Sequence, residues 1–273
     1  MLGELLDNVR RRHPLVHNIT NYVTVNDCAN ILLACGGSPI MADDASEAEE
    51  ITALCAGLNI NIGTLNARTI PAMLAAGKKA NQLGRPVVLD PVGAGASRLR
   101  TDTALGLLDQ VRFAVVRGNI SEIKTLALGS GSTRGVDAGV GDAVTKESLE
   151  EAVRFAKDFA RKTGAVAAIT GAIDIVAGGE RAFCIFNGHP MMSRVTGTGC
   201  QLSAMTAAYV AASPDRPLEA AAAAVCAMGV CGEIAHRRLG ELDGNASYRN
   251  YIIDAAYHLD GETLERCANY EIL

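Results

Sequence analysis

The chain has 273 residues, enough to bury a sizeable core without disulfide or metal staples. Lys and Arg total 25 against 30 Asp and Glu, a net charge of −5, which argues against nucleic acid or an anionic membrane as the main partner. Hydrophobic residues make up 49% and charged residues 20%, so disorder and collagen-like repeats are excluded; with aromatics at 4% and no Trp, base-stacking platforms are disfavoured.

Residues 1–14, MLGELLDNVRRRHP, read as an amphipathic helix with acidic residues and not as a signal peptide. His13 and His17 have the i, i+4 spacing of metal ligands, but Pro14 between them argues against one helix presenting both. Short apolar runs then alternate with helical patterns, which predicts βα units and a mostly parallel sheet covered on both faces. Strands are expected at 38–41, 58–62, 86–90, 112–117, 165–170, 173–177 and 182–187. The last two flank Gly178-Gly179-Glu180-Arg181, a hairpin signal that adds an antiparallel edge.

Among the helices, one with an acidic first turn follows Asp43 and Asp44. Leu149, Val153, Ala156 and Ala160 form one face of another that ends at Gly164, and the Ala-rich stretch 217–238 reads as a buried helix. Residues 245–269 form a final helical stretch. The longest uncharged run, 195–214, is too rich in Thr, Gly, Ser and Gln for a membrane span. No linker breaks the pattern, so residues 1–273 read as one domain with a mobile glycine-rich loop at 129–143. The eight cysteines form no CxxC pair and read as reduced thiols of a cytoplasmic protein.

Three segments carry chemistry. In Val195-Thr196-Gly197-Thr198-Gly199-Cys200, two glycines precede a small-residue helix, so backbone N–H groups converge where the helix dipole is positive and an anion is stabilised. The alternative is a tight turn before a buried helix. Cys200 falls in the first helical turn, where the dipole favours thiolate. In Val87-Val88-Leu89-Asp90-Pro91-Val92-Gly93, a buried strand ends in a carboxylate that serves hydrated Mg²⁺, a substrate hydroxyl or simply a helix cap. In Val115-Val116-Arg117-Gly118-Asn119-Ile120-Ser121-Glu122, Arg117 and Glu122 suit a phosphate and a metal, while Asn119 and Glu122 also have capping-box spacing. Together the three strand ends point to phosphoryl transfer. No P-loop, third dinucleotide-type glycine or GxSxG elbow occurs.

Residues 17–41 (HNITNYVTVNDCANILLACGGSPIM), with LNINIGTL, VVLDPVGAGAS, VVRGNISEI, AAITGAIDIV and VTGTGCQLSA in that order, resemble the hydroxyethylthiazole kinase family of the ribokinase-like superfamily. The resemblance implies a three-layer α/β/α fold and ATP- and Mg²⁺-dependent phosphorylation of a thiazole alcohol on the way to thiamine. It also implies a cytoplasmic homotrimer with active sites shared between subunits. It places Asn21, Met41 and the Gly197 backbone on the thiazole, and Arg117, Asn119 and Thr170 on ATP. Asp90 and Glu122 fall on Mg²⁺, and Gly197, Thr198, Gly199 and Cys200 form a catalytic anion hole. Related sugar kinases place Asp where this chain has Cys200, which leaves its role open between base and pocket wall. The rival readings are another ribokinase-like enzyme, such as a hydroxymethylpyrimidine kinase or an NAD(P)HX dehydratase, and a non-catalytic thiazole binder.

Overall fold

A computed structural model of the chain describes residues 1–129, 144, 145 and 147–273; the glycine-rich loop expected at 129–143 lies, apart from Gly129, outside them. One nine-stranded sheet runs through the described residues: β1 (Leu15–Ile19), β2 (Ser38–Met41), β3 (Gly57–Asn61), β4 (Val87–Asp90), β5 (Val115–Asn119), β6 (Val166–Thr170), β7 (Asp174–Ala177), β8 (Ala182–Ile185) and β9 (Tyr270–Ile272). The order is β2-β1-β3-β4-β5-β6-β7-β8-β9. Pairing is parallel from β2 to β6 and antiparallel from β6 to β9, as the apolar runs and the Gly178–Arg181 hairpin predict.

Helices cover both faces. On one lie α1 (Leu2–Arg12), α2 (Val25–Cys35), α8 (Thr198–Ala212), α9 (Pro217–Arg238), α10 (Asn245–His258) and α11 (Gly261–Cys267); on the other lie α3 (Ala48–Leu54), α4 (Thr69–Gln82), α5 (Arg98–Gln110), α6 (Ile120–Leu128) and α7 (Leu149–Thr163). Each layer seals its own apolar core against the sheet. Small side chains make this possible on the α8–α9 side, where Ala204, Ala207, Ala208 and Ala220–Ala224 are fully buried and let the helices approach closely. Among the described residues α9 is long and apolar enough to cross a membrane, and 78% of its apolar window is buried within the fold.

Three expectations change and one holds. The inner strand β1 was not anticipated, because its LVHNI sequence interleaves polar residues and follows Pro14. β5 lies three residues later than expected at its start. The stretch 245–269 divides into α10 and α11, the second capped by Asp260, whose carboxylate accepts from Thr263 N–H at 2.7 Å, and β9 follows. In line with Pro14 between them, His13 and His17 do not converge: His13 ends α1 with φ 45°, and His17 is fully buried in β1, donating from Nε2 to Ala42 O at 2.8 Å with Nδ1 2.9 Å from Thr52 Oγ1.

The order of connections marks one end of the sheet where a ligand can enter. From β1 the chain first adds β2 on one side and then crosses to β3 on the other, so a topological switch point opens between β1 and β3 at the carboxyl ends of the strands. Ligands of open α/β sheets bind in such crevices.

Candidate active site

Side chains alternate between the faces of a strand. Leu58, Ile60, Leu89, Val116 and Ile169 therefore enter the core under α3–α7. Their neighbours Asn59, Asn61, Asp90, Arg117 and Thr170 face α8 and α9. Register gathers them, since Asn61 pairs with Asp90 and Arg117 with Ala168, two residues before Thr170.

Asp90 is fully buried. Its Oδ2 accepts from Asn61 Nδ2 at 2.8 Å and Ser203 Oγ at 2.7 Å, with Arg117 Nη1 3.6 Å away, while Oδ1 has no hydrogen-bond partner. Burial pushes this carboxyl up to about 6 against the pull of Arg117, and the charge of Glu122 adds to the rise. Helix capping is not its role: Ser97 caps α5, its side chain accepting from Arg100 N–H.

For Asn119 and Glu122 the structure contains the capping box and something more. Asn119 Oδ1 accepts from Glu122 N–H and Glu122 Oε2 accepts from Asn119 N–H, both at 2.8 Å, while Glu122 Oε1 takes the Gly93 N–H at 2.8 Å. Glu122 thereby ties the glycine-rich loop after β4 to the start of α6. Arg117 donates from Nη2 to Thr170 Oγ1 at 2.7 Å, and its buried Nε has no partner.

The 195–200 segment folds as a turn into α8. Gly197 has φ 90°, and a Cβ there would lie 2.3 Å from Thr24 Cγ2; a Cβ at Gly199 would lie 2.5 Å from Arg117 Nη1. Only glycine lets this turn rest on Thr24 and lets the guanidinium lie across the helix N-terminus. The first N–H groups of α8 have no carbonyl of their own helix to bond, so they offer an anion the positive end of the dipole.

Two site residues depart from expectation. Cys200 is no stabilised thiolate: burial and the charge of Asp90 push its thiol up, outweighing the polar groups of Thr24, Asn21 and Asn61 around it. Asn21 has no hydrogen-bonding capacity left for a ligand. Its Oδ1 accepts from Thr24 N–H at 3.2 Å and Thr24 Oγ1 at 3.1 Å, and its Nδ2 donates to Asn61 Oδ1 at 3.0 Å and Cys200 Sγ at 3.1 Å. Met41 ends the outermost strand, half-buried against the helical core.

Beside Arg117, Thr198 and Gly199 opens a cleft of about 550 Å³, walled by Thr170, Gly171, Asp174, His189, Val225 and Met228 among others. Asp174 Oδ1 accepts from Gly171 N–H at 2.8 Å, and burial lifts its carboxyl to about 6. The far wall is braced by Glu233, which accepts from Asn187 Nδ2 and Gly188 N–H, and by His189 stacked on His236 at 3.5 Å. A second groove, of about 520 Å³, lies on the opposite sheet face between α4 and α5, walled mainly by Ile70, Leu74, Leu99 and Leu107 and remote from Asp90. Among the described residues no three His, Cys, Asp or Glu side chains cluster to hold a metal ion.

Sequence reasoning missed Asn61, Ser203, Asp174 and Glu233. For Asn61 a signal was present: two asparagines in the otherwise apolar run Leu58-Asn59-Ile60-Asn61-Ile62 are costly to bury unless they are hydrogen-bonded. Ser203 stood out from its small-residue helix by nothing local.

The parallel sheet with an antiparallel edge, the helical layers on both faces and the cleft at the strand ends define the ribokinase-like class. Staphylococcus aureus pyridoxal kinase, solved with AMP-PCP and pyridoxal, shares the fold at a TM-score of 0.62 and 13% identity, over 95% of this chain and 98% of that one. Within this class the chain belongs to the hydroxyethylthiazole kinase family, whose sequence profile matches residues 6–262. It is 65% identical over 271 residues to the hydroxyethylthiazole kinase of Clostridium acetobutylicum, covering 99% of both chains. The structure of the hydroxyethylthiazole kinase protein from Pyrococcus horikoshii matches at a TM-score of 0.88 and 38% identity, over 100% of this chain and 98% of that one.

Proposed function

We propose that this protein transfers the γ-phosphoryl group of ATP to the hydroxyl of 5-(2-hydroxyethyl)-4-methylthiazole, giving 4-methyl-5-(2-phosphooxyethyl)thiazole and ADP in thiamine salvage. Family membership supports the substrate pair. The observation that carries the chemistry is the meeting of Arg117, Thr170, Asp90 and the α8 N-terminus beside one cleft.

ATP lies in that cleft with its phosphates toward Arg117, Thr170 and the N–H groups of Thr198 and Gly199, and Asn119 holds the adjoining strand end. Phosphoryl transfer passes through a loose transition state, so the work is alignment and charge stabilisation by these donors. The acceptor alcohol lies against the Gly197 backbone and Cys200. The thiol keeps its proton at neutral pH, so Cys200 shapes the pocket and the alcohol proton leaves late. Asn21 is scaffold beneath this pocket.

Mg²⁺ fits the residues present. Asp90 Oδ1 is a buried carboxylate oxygen without a partner, and the mutual repulsion of Asp90 and Glu122 is relieved by a cation. Asp90 would hold it, with Glu122 beside it, phosphate oxygens and water completing the shell; when bound, the ion neutralises charge on the phosphates.

The protein acts as a cytoplasmic homotrimer in which Met41 reaches a neighbouring subunit's thiazole. The exposed Tyr22 (79%) and Val23 (57%) beside the site, and the half-buried edge strand β2, support such an interface. Neither nucleic acid nor membrane is a partner.

The test is ADP formation by purified protein with Mg²⁺ and ATP, with the thiazole alcohol, hydroxymethylpyrimidine or no acceptor, and product mass identified. Thiazole-dependent turnover yielding the phosphorylated thiazole is expected. Turnover only with the pyrimidine points to the neighbouring kinase activity, and acceptor binding without turnover points to a binding protein. Light scattering checks the trimer.

A further inference from the structure

We propose that Asn61 is a positioning residue that locks the acceptor pocket to the phosphoryl-transfer end of the site, through an amide whose orientation two backbone N–H groups impose. The inference rests on the kinase reading above.

An asparagine amide can turn over and exchange its donor and acceptor ends, so its orientation needs a partner of fixed polarity. A backbone N–H is such a partner because it can only donate. Gly63 N–H lies 2.9 Å from Asn61 Oδ1, and Thr24 N–H lies 3.2 Å from Asn21 Oδ1. Both oxygens are thereby assigned. The Gly63 loop is itself held, since Arg100 donates from Nη2 to Gly63 O at 2.7 Å and from Nη1 to Val92 O at 2.9 Å.

With the oxygens fixed, the donors have one arrangement. Asn61 Nδ2 faces Asp90 Oδ2 at 2.8 Å. Asn21 Nδ2 faces Asn61 Oδ1 at 3.0 Å and Cys200 Sγ at 3.1 Å. The result is a buried chain linking Cys200, Asn21, Asn61 and Asp90 with one arrangement of donors: Asn21 donates both to the sulfur and to Asn61, Asn61 donates to Asp90, and the sulfur and the carboxylate at the two ends both accept. All of Asn21, Asn61 and Asp90 are at most 4% exposed, so water does not substitute for any link. Asn61 touches neither nucleotide nor alcohol in this reading; it sets the rotamer of Asp90 on one side and of Asn21 on the other. Such links carry energy jointly, so removing either member disturbs both.

Two substitutions separate its halves. Asn61→Asp keeps an oxygen toward Gly63 and Asn21 but places an acceptor against Asp90. It is expected to lower kcat about tenfold or more while the KM for the thiazole alcohol stays within about threefold. Asn61→Ala removes both links and is expected to raise that KM about fivefold in addition. Because Asn21 acts through the same chain, Asn21→Ala combined with Asn61→Ala should be about as impaired as the worse single variant. ADP affinity, measured by calorimetry without turnover, should remain within about twofold in every case.

A kcat for Asn61→Asp within about twofold of the parent, or effects of Asn21→Ala and Asn61→Ala that multiply, overturns the proposal. If Asn61→Ala does not fold, the near-isosteric Asn61→Asp decides it alone. Parent protein inactive on the thiazole alcohol would defeat the kinase reading and this inference with it, whereas an active parent indifferent to Asn61 defeats only the inference.

Discussion

The two faces of the sheet are built from the same strands and do opposite work. Under α3–α7 the strands contribute Leu58, Ile60, Leu89, Val116 and Ile169, each fully buried among apolar neighbours. Under α8 and α9, at the same carboxyl ends, they contribute Asn61, Asp90, Arg117 and Thr170, whose hydrogen bonds run between strands and to Ser203 of α8. One face is stabilised by area removed from water; the other is costly to bury and is held by directional bonds that leave Asp90 Oδ1 and Arg117 Nε unmatched. A residue's parity in its strand, together with its distance from the carboxyl end, decides whether it enters the apolar core or the polar network at the strand ends.

Substitutions on the two faces should therefore separate activity from stability. The largest effect is expected for Arg117→Ala, which removes the cation beside the α8 N-terminus: kcat/KM should fall about 10²–10³-fold, and steady-state kinetics on folded protein will show it. Leu89→Ala, one residue away from Asp90 but on the opposite face, should cost about 3 kcal/mol of unfolding free energy in denaturant titrations and leave kcat nearly unchanged below the transition. Cys200→Ala should lower kcat less than about tenfold, because a thiol that keeps its proton supplies little base catalysis. Asp174→Asn should be the mildest. Burial raises the Asp174 carboxyl to about 6 from an ordinary 3.8, so its charged form opposes folding above pH 6 and that penalty fades as pH falls toward 4. The variant should then be more stable than the parent by about 1 kcal/mol at pH 7.5, roughly 2–4 °C in melting temperature, with the gain shrinking by pH 5.

The same contrast explains which parts were legible in sequence. β4 and β6 are short β-branched or small apolar runs ending in a polar residue, and the β7–β8 hairpin announced itself through Gly178 and Gly179; the strand pattern needed no tertiary information there. β1 was obscured because His17 and Asn18 are polar yet buried, satisfied by Ala42, Thr52 and Asn59 from beyond the strand and by the Val16 carbonyl within it. Asp90, Arg117 and Gly197 were readable as candidates because strand-end carboxylates, strand-end arginines and paired glycines carry their meaning locally. The thiol of Cys200 was misjudged because the helix dipole is a local feature, whereas burial and the charge of Asp90 arise from a strand more than a hundred residues away in the chain. The saturation of Asn21 was not legible in sequence, since its partners come from Thr24, Asn61 and Cys200 together.

The central claim is that the polar face at the strand ends is where phosphoryl transfer occurs, and Asp90→Asn tests it most directly. The substitution preserves shape and the acceptor for Asn61 and Ser203 while removing a charge that burial disfavours above pH 6. Thiazole-dependent ADP formation should fall at least about 100-fold, with melting temperature at pH 7.5 unchanged or raised. Turnover within about threefold of the parent would contradict the account.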